Sequence, residues 1–331
     1  MNKLFDNIDN FVFIKDVKSI PVVSKGDDSC TFTIGIPTYK RSLDLLKALN
    51  SAINQNFNDK YNILIVDNNP ERGDETETLI CNEFANCPRL SYYKNEQNIG
   101  MAGNWNRLFE LCLTSYMIML HDDDYLLPDY LTAIKELVSS EEDVTVANVS
   151  KIIWNGEFPM PRYNPCDRIK VFRYSKFSNY PYFHFGPPSG CLFRKDTVIN
   201  EGGFDKDWYP SMDYAFIVKL CFHGRKVLRI KNKLLLYKSI ENTTSKPETQ
   251  ELWIKIDSEI KSQMAEELHL PHAVQKVVVF FEMGIRKYYI KQIVSGKKVL
   301  SFSDEIFVLC FRAYRFLYRI FFETLNVYRL K

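Results

Sequence analysis

The sequence lacks the motifs that mark several large enzyme classes. It contains no GxGxxG and no GxxxxGK[ST], so the dinucleotide-binding and P-loop classes have no support. HExxH and GxSxG are missing as well. Its eight cysteines include no CxxC pair, and most of them fall in apolar stretches. This pattern predicts buried thiols in a reducing compartment and argues against a disulfide framework.

The chain also lacks a charge excess of either sign and any long apolar run. Its formal net charge is +2 over 331 residues, which predicts no nucleic-acid partner. Charges are spread through the first residues without the pattern of a signal peptide, and no apolar run reaches transmembrane length. We therefore expect a cytoplasmic protein.

What is present is an alternation of short apolar runs with helical periodicities. In the first predicted helix, for example, Leu43, Leu46, Leu49 and Ile53 recur at helical spacing. The predicted strands are 31–39, 62–69, 90–98 and 116–120, and the predicted helices are 42–55, 75–86, 103–113 and 128–138. This order predicts an α/β fold with a doubly wound, mostly parallel sheet. Continuous apolar strands are expected where both faces of a sheet are covered.

The remaining segments are less regular. Residues 1–30 are predicted to be an irregular extension, and 155–190, rich in Pro, Tyr and Phe, a long loop region. The further predicted elements are a strand over 144–154, a helix over 209–224, one or two strands within 227–238, and helices from 250 to the end.

Polar residues follow each of the first four predicted strands. They are Pro37-Thr38-Tyr39, Asp67-Asn68-Asn69, Asn98-Ile99-Gly100 and Asp122-Asp123-Asp124. Ligands bind outside the carboxyl ends of strands in an open parallel sheet, so these sets are expected to line one nucleotide-binding crevice. Asp67 could accept a hydrogen bond from a pyrimidine, and Gly100 would let the backbone approach a ligand closely. The alternative for each of these two segments is a simple turn.

The acidic run at 122–124 predicts a metal site. Three neighbouring carboxylates repel one another unless a cation is present. Mg²⁺ or Mn²⁺ held by Asp122 and Asp124 would take oxygen ligands and neutralise a leaving diphosphate. A solvated turn is the alternative. His121 abuts the run, and its position at a strand end favours a packing role.

Six segments in one order resemble the family-2 glycosyltransferases, which have the GT-A fold. They are GIPTYKR (35–41), IVDNN (65–69), NIGMAGNWNR (98–107), LHDDDYLLPDYL (120–131), PPSGCLFRKD with GGFD (187–196, 202–205) and SMDYAFIVKL (211–220). The GNWN version is similar to transferases that build bacterial surface polysaccharides such as O-antigen or capsule. The resemblance implies a catalytic domain over 31–245, with a nucleotide-binding half (31–125) and an acceptor half (126–245). A helical region over 246–331 would follow it.

The resemblance also implies roles for individual residues. Asp213 would be the catalytic base of an inverting enzyme, and Asp122 and Asp124 would hold Mn²⁺ or Mg²⁺. The donor would be a UDP-sugar and the acceptor a saccharide, lipid-linked. The implied nucleotide-sugar-binding residues are Pro37, Thr38, Tyr39, Arg41, Asp67, Asn68, Asn98, Gly100, Asn104, Asp122 and Asp123.

Two positions depart from the family pattern. Met212 stands where the family often has an acidic residue, and Ile240 where it often has a histidine. Glu241 and Asn242 are weak substitutes as metal ligands. A catalytically weak GT-A binding or scaffold protein therefore stays open as an alternative. A sugar-nucleotide nucleotidyltransferase is a further alternative, although the loop PTYKRS has no glycine to hold a triphosphate.

The tail over 306–331 is basic and rich in aromatic residues. Arg312, Arg315 and Arg319 recur at helical spacing. Such a helix can lie in a membrane interface with its arginines toward anionic headgroups. We expect peripheral contact at the inner face of the cell membrane. Packing on the catalytic domain and a dimer contact are the alternatives.

Overall fold

The computed structural model describes residues 3–154, 169–181, 185–238, 247–295, 301–324 and 327–330. In this part of the chain the strands are β1 (Ser19–Val23), β2 (Phe32–Thr38), β3 (Asn62–Asp67), β4 (Leu90–Asn95), β5 (Tyr116–Met119), β6 (Tyr125–Leu126), β7 (Val144–Trp154), β8 (Lys170–Arg173), β9 (Cys191–Arg194), β10 (Lys226–Lys238) and β11 (Val327–Arg329). The helices are α1 (Ser42–Ile53), α2 (Glu75–Leu79), α3 (Gly100–Leu111), α4 (Tyr130–Ser140), α5 (Lys176–Asn179), α6 (Lys195–Asn200), α7 (Met212–Phe222), α8 (Pro247–Glu267), α9 (His272–Ser295) and α10 (Phe302–Tyr318).

All the described strands belong to one sheet. Across it they follow the order β1–β4–β3–β2–β5–β9–β7–β10–β8–β11, and β6 pairs with β10. Strands β4, β3, β2 and β5 are parallel neighbours, as are β7 and β10, whereas β9 runs antiparallel between β5 and β7. The predicted α/β fold with a mostly parallel sheet is confirmed.

Strand β3 shows why the central strands are continuously apolar. Ile63 and Ile65 belong to the core on the side of α1 and α4, while Leu64 and Val66 belong to the core on the side of α3 and α7. Successive side chains of a strand point to opposite faces, so helices on both sides bury every residue.

Helix α1 is confirmed, but its buried face shares only Leu49 with the apolar residues noted in the sequence. The buried residues are Leu45, Ala48, Leu49 and Ala52, while Leu43 is 77% exposed. Both sets contain apolar residues at helical spacing. Packing against the sheet selects the set that includes the two small alanines.

The N-terminal segment is not wholly irregular, so that prediction was wrong. Strand β1 pairs antiparallel with β4 and extends the edge of the sheet. Arg107 of α3 fastens the segment by donating hydrogen bonds to the carbonyls of Ile14 and Val17, each at 2.7 Å. A side chain distant in sequence therefore orders this stretch.

The C-terminal region is helical through α8, α9 and α10, as predicted, but its end is not. Strand β11 returns to the sheet and pairs antiparallel with β8. Strand β8 and the short helix α5 themselves lie within 155–190, which was predicted to be a loop region. Residues 155–168 and 182–184 of that prediction lie outside the described residues.

A buried lysine joins the carboxyl ends of β3 and β4. Lys94 is 1% exposed, and its Nζ lies 3.0 Å from Asp67 Oδ2 and 2.8 Å from Asp74 Oδ1. Asp67 also accepts hydrogen bonds from the Tyr92 hydroxyl and the Asn69 amide, each at 2.9 Å. Asp74 caps α2 by accepting from the Glu77 amide. The ion pairs of the Lys94 ammonium therefore connect the ends of β3 and β4 to the start of α2.

We expect Lys94→Met to lower the free energy of unfolding by about 3–5 kcal/mol, because it leaves two buried carboxylates without a cation. Urea unfolding followed by circular dichroism measures the change. Lys135→Met is the matched control, because Lys135 pairs with Asp59 where both side chains are largely exposed. Its cost should stay within about 1 kcal/mol. Equal losses in the two variants would contradict this account.

Candidate functional site

A cavity of about 640 Å³ lies at the carboxyl ends of β2, β3 and β5. Most of the residues predicted from the sequence line it: Pro37, Thr38, Tyr39, Arg41, Asn68, Asn98, Asn104, Asp122, Asp123 and Asp213. Asp67, Gly100 and Asp124 are not among its lining residues. The parallel strands therefore bring together side chains from distant segments, as expected at this edge of a sheet.

Asp67 differs from its predicted role as a base contact. It is fully buried, and both of its oxygens are used by Asn69, Tyr92 and Lys94. Burial raises the pKa of Asp67, while the Asn69 amide and the Lys94 ammonium oppose that rise. In this structure the carboxylate holds strand ends together and has no free face toward the cavity.

Asparagine side chains shape the loop that leads into α3. Asn68 Nδ2 donates to Asn98 Oδ1 at 2.9 Å and to the Gly100 carbonyl at 3.2 Å. Asn95 Nδ2 donates to Asn68 Oδ1 at 3.1 Å and to Asn104 Oδ1 at 2.9 Å. The lining residues Asn68, Asn98 and Asn104 are thus parts of one hydrogen-bonded unit.

Gly100 is required for its backbone conformation. Its φ is +75°, and a Cβ built there would meet nothing within 4 Å. Residues other than glycine rarely adopt this left-handed conformation. Gly100 is not among the residues that line the cavity, and the close approach of its backbone to a ligand stays a prediction.

Asp122 is held by protein groups on the cavity wall. The Thr38 hydroxyl donates to Asp122 Oδ2 at 2.8 Å, and Arg41 Nη1 lies 3.4 Å from Asp122 Oδ1. The same Arg41 atom donates to Asp123 Oδ2 at 2.9 Å. Burial raises the pKa of Asp122 to about 6, against the opposing effects of Arg41 and Thr38.

A group suited to a metal ion lies beside Asp122 but does not include it. One ligand atom each from His121, Asp123 and Asp124 lies within 4.8 Å of the others. His121 Nε2 and Asp124 Oδ2 are buried and have no hydrogen-bond partner among the described residues. Burial lowers the pKa of His121 to about 4 and raises that of Asp124 to about 7. A neutral imidazole with two carboxylates fits a divalent cation, which would favour the ionised acids.

The predicted metal pair therefore changes. The sequence predicted Asp122 with Asp124, whereas the geometry groups Asp124 with Asp123 and His121. Both oxygens of Asp122 are engaged, by Thr38 and Arg41, whereas Arg41 engages only one oxygen of Asp123. Ile240, Glu241 and Asn242, considered as replacements for the family's histidine, lie outside the described residues.

Asp213 lies in the first turn of α7 and faces the same cavity. Its Oδ1 accepts the Tyr214 amide at 2.8 Å. Burial raises the pKa of Asp213 to about 7, although that amide opposes the rise. A carboxylate with a pKa near neutrality can accept a proton from a hydroxyl group at physiological pH.

Lys151 is a lining residue that the sequence analysis missed. It belongs to β7, and its Nζ lies 3.6 Å from the centre of the Tyr237 ring. Burial lowers the pKa of Lys151 to about 8, while the charges of Asp124 and Asp213 oppose that change. A single lysine within the apolar strand sequence VTVANVSKIIW was the signal that could have identified it.

The C-terminal helices also reach the cavity. Trp253 and Asp257 of α8 and Arg286 of α9 line it together with the Asp213 turn. The periodicity of these helices predicts only that they are helical, and no local motif singles out the three residues.

Comparisons with known proteins agree with this geometry. The family model described as Glycosyl transferase family 2 matches residues 33–200, just over half of the chain. An uncharacterised glycosyltransferase of Methanocaldococcus jannaschii is 22% identical over 231 residues, which cover 68% of this chain and 77% of that protein. The GalNAc(5)-diNAcBac-PP-undecaprenol beta-1,3-glucosyltransferase of Campylobacter jejuni is 30% identical over 102 residues, only 30% of this chain and 32% of that protein.

Two solved structures share the fold. TarS of S. aureus (residues 1–349), in complex with UDP-GlcNAc, superposes with a TM-score of 0.57 and 16% identity over 83% of this chain and 78% of that one. The mannosyltransferase PcManGT of Pyrobaculum calidifontis, in complex with GDP-Man and Mn²⁺, has a TM-score of 0.53 and 15% identity over 94% and 88%. At these identities the likeness establishes the fold alone, which is the GT-A fold predicted from the motifs.

Proposed function

Because the chain belongs to glycosyl transferase family 2, we propose that it moves a sugar from a UDP-sugar to a saccharide acceptor with inversion at the anomeric carbon. One observation carries the proposal. A single cavity is lined both by the strand-end residues Thr38 and Asp122 and by Asp213, a carboxylate suited to act as a base. TarS was solved with UDP-GlcNAc on the same fold, which supports the choice of donor, while PcManGT was solved with GDP-Man. A screen of UDP- and GDP-sugars separates the two nucleotides.

In the proposed reaction, Asp213 removes the proton from an acceptor hydroxyl group. The oxygen forms a bond to the anomeric carbon from the face opposite the diphosphate. The bond from that carbon to the diphosphate oxygen breaks, and its electron pair leaves with UDP. Lys151 carries a positive charge into the cavity between Asp124 and Asp213, where it would stabilise charge developing on the leaving group.

We expect Asp213→Asn to lower kcat by about 10²- to 10⁴-fold, because the acceptor proton then has no base. In the wild type, kcat should rise with pH through about 7, because only the ionised carboxylate accepts a proton. This rise is the acid limb of the pH profile of kcat, and Asp213→Asn should lack it. UDP release from the donor in the presence of a saccharide acceptor gives the rate. The control is Asp207→Asn, at an exposed aspartate in the preceding turn. A wild-type rate in Asp213→Asn would remove Asp213 from the role of base.

We further propose a divalent metal cofactor, Mn²⁺ or Mg²⁺. The residues that would hold it are His121, Asp123 and Asp124. When bound, such an ion neutralises the leaving diphosphate. The buried nitrogen of His121 and the buried oxygen of Asp124, neither of which has a hydrogen-bond partner among the described residues, support this assignment. The Mn²⁺ in the PcManGT complex supports it at the level of the fold.

Asp124→Asn should weaken Mn²⁺ binding roughly tenfold or more, because it replaces a charged ligand with a neutral one. Electron paramagnetic resonance of Mn²⁺, with and without UDP, measures the affinity. Asp122→Asn is the matched variant within the same acidic run. Without UDP it should bind Mn²⁺ like the wild type, because Asp122 is engaged by Thr38 and Arg41. The reverse order of the two affinities would restore the assignment of the metal to Asp122.

The acceptor is proposed to be lipid-linked, as the name of the Campylobacter relative suggests for that protein. Helix α10 supports contact with a membrane surface. Phe311 and Tyr318 are buried against the protein, while Leu309, Phe316 and Leu317 are exposed on a helix that also carries arginines. Among the described helices, none is both long enough and apolar enough to cross a bilayer. We therefore propose peripheral binding through this face, with the arginines toward anionic headgroups.

We expect the double variant Arg312→Glu/Arg319→Glu to lose most of its binding to vesicles of phosphatidylcholine and phosphatidylglycerol. Each basic residue near an anionic surface contributes about 1 kcal/mol, so the affinity should fall at least about 25-fold. Cosedimentation at low and high salt measures it. Lys135→Glu, at another exposed lysine, should bind like the wild type. Salt-independent binding, or equal binding by both variants, would contradict membrane contact through α10.

A further inference from the structure

An ion pair between a buried carboxylate and a partly exposed arginine, whose side chain is 27% exposed, links the C-terminal helices to the turn that carries Asp213. Asp257 of α8 is 3% exposed. Its Oδ1 accepts a hydrogen bond from the Ser211 hydroxyl at 2.5 Å, and its Oδ2 forms an ion pair with Arg286 of α9. Asp257 is therefore held from two sides, by α7 and by α9.

Ser211 is the residue from which α7 starts. Its carbonyl accepts the Ala215 amide at 2.9 Å, and its own amide donates to the Trp208 carbonyl at 2.8 Å. Asp213 follows two residues later and projects into the cavity. The hydrogen bond from the Ser211 hydroxyl to Asp257 therefore connects α8 to the turn that carries Asp213.

The placement of the pair is not what stability alone would select. Burying a carboxylate such as Asp257 costs desolvation energy that an ion pair often only balances, so an apolar residue of similar volume would stabilise the fold as well. Asp257 and Arg286 instead line the cavity beside Asp213, and the Arg286 guanidinium lies 5.6 Å from the centre of the Trp253 ring. Stability alone therefore does not explain why this charged pair lies beside Asp213 on the cavity wall.

We propose that Asp257 and Arg286 are positioning residues for Asp213, so that α8 and α9 are an integral part of the active site. This inference rests on the proposed function, in which Asp213 is the base. It deepens that function by assigning two residues from outside the region of family resemblance to the orientation and charge of the base.

The two residues act on Asp213 with opposite electrostatic signs. The negative charge of Asp257 raises the pKa of Asp213, and the positive charge of Arg286 lowers it, on top of the larger effect of burial. Among the described residues, Lys151 of β7 and the Cys191 thiol of β9 also interact electrostatically with Asp213. Neither belongs to the helical region, so changes at Asp257 and Arg286 leave both in place.

The experiment compares the pH dependence of kcat in Asp257→Asn and Arg286→Gln with that of the wild type. Asp257→Asn keeps an acceptor for Ser211 and removes a negative charge, so the acid limb should move down by roughly one pH unit. Arg286→Gln removes the positive charge, so the limb should move up by a similar amount. Both variants should lose at least tenfold in kcat at pH 7 with little change in the KM for the donor, because the nucleotide side is untouched.

Controls separate positioning from general loss of structure. Glu201→Gln removes another buried carboxylate, which is paired with Arg225 and His223 and is not among the residues that line the cavity, and it should leave the limb where it is. Arg286→Lys keeps the charge and should keep the wild-type limb. If Asp257→Asn fails to fold, Ser211→Ala tests the same link. Ser211→Ala should lower kcat without moving the acid limb, because it removes the hydrogen bond to Asp257 and leaves the charges of Asp257 and Arg286 in place.

Two outcomes would overturn the inference, and they are distinguishable. A wild-type kcat and an unmoved limb in folded Asp257→Asn and Arg286→Gln would show that the pair acts only on stability. A wild-type limb that persists in Asp213→Asn would instead overturn Asp213 as the base, and this inference would fall with it. Opposite shifts in the two variants, with the limb absent in Asp213→Asn, are the expected result.

Discussion

Each carboxylate buried at the strand ends or in the helices beside the cavity needs a cation or a hydrogen-bond donor, because an isolated charge is costly to bury. Asp67 is matched by Lys94, Asp122 by Thr38 and Arg41, and Asp257 by Ser211 and Arg286. Asp124 and Asp213 each accept a hydrogen bond from a backbone amide, of Lys238 and of Tyr214, but neither has an ion-pair partner among the described residues. Burial raises the pKa of each to about 7. The presence or absence of an ion-pair partner thus separates the carboxylates that stabilise the structure from Asp124, which we propose as a metal ligand, and Asp213, which we propose as a base.

Much of the fold could be predicted because its central strands are buried on both faces. Continuous apolar runs such as β3 alternate with helical periodicities, and that order leaves few topologies. Strands β1 and β11 could not be predicted in this way. Strand β1 is five residues long and includes Pro21, and the hydrogen bonds from Arg107 that order its approach come from α3. The pairing of β11 with β8 is likewise a tertiary contact with no local pattern.

The candidate site was predictable where topology alone decides it. Strand ends converge in a parallel sheet, so Thr38, Asn68 and Asp122 had to meet. Individual side chains were harder to predict, because their partners come from elsewhere. Asp67 is occupied by Lys94, 27 residues along the chain, and the position of Arg41 decides which oxygens of the acidic run face a ligand. No sequence motif records either contact.

The C-terminal helices join the two halves of the proposed function. Phe281 of α9 stacks on Tyr314 of α10 at 4.7 Å between ring centres, and α9 also carries Arg286, which reaches the Asp213 turn through Asp257. Packed helices transmit a conformational signal between two sites only if one of them can adopt two arrangements. The packing of α9 on α10 only places the helices relative to each other. The helix that we propose to bind a lipid surface is therefore packed against the helix that carries Arg286, which we propose to position the base. If both proposals hold, an acceptor carried on a lipid would reach Asp213 of α7 close to the helices that face its membrane.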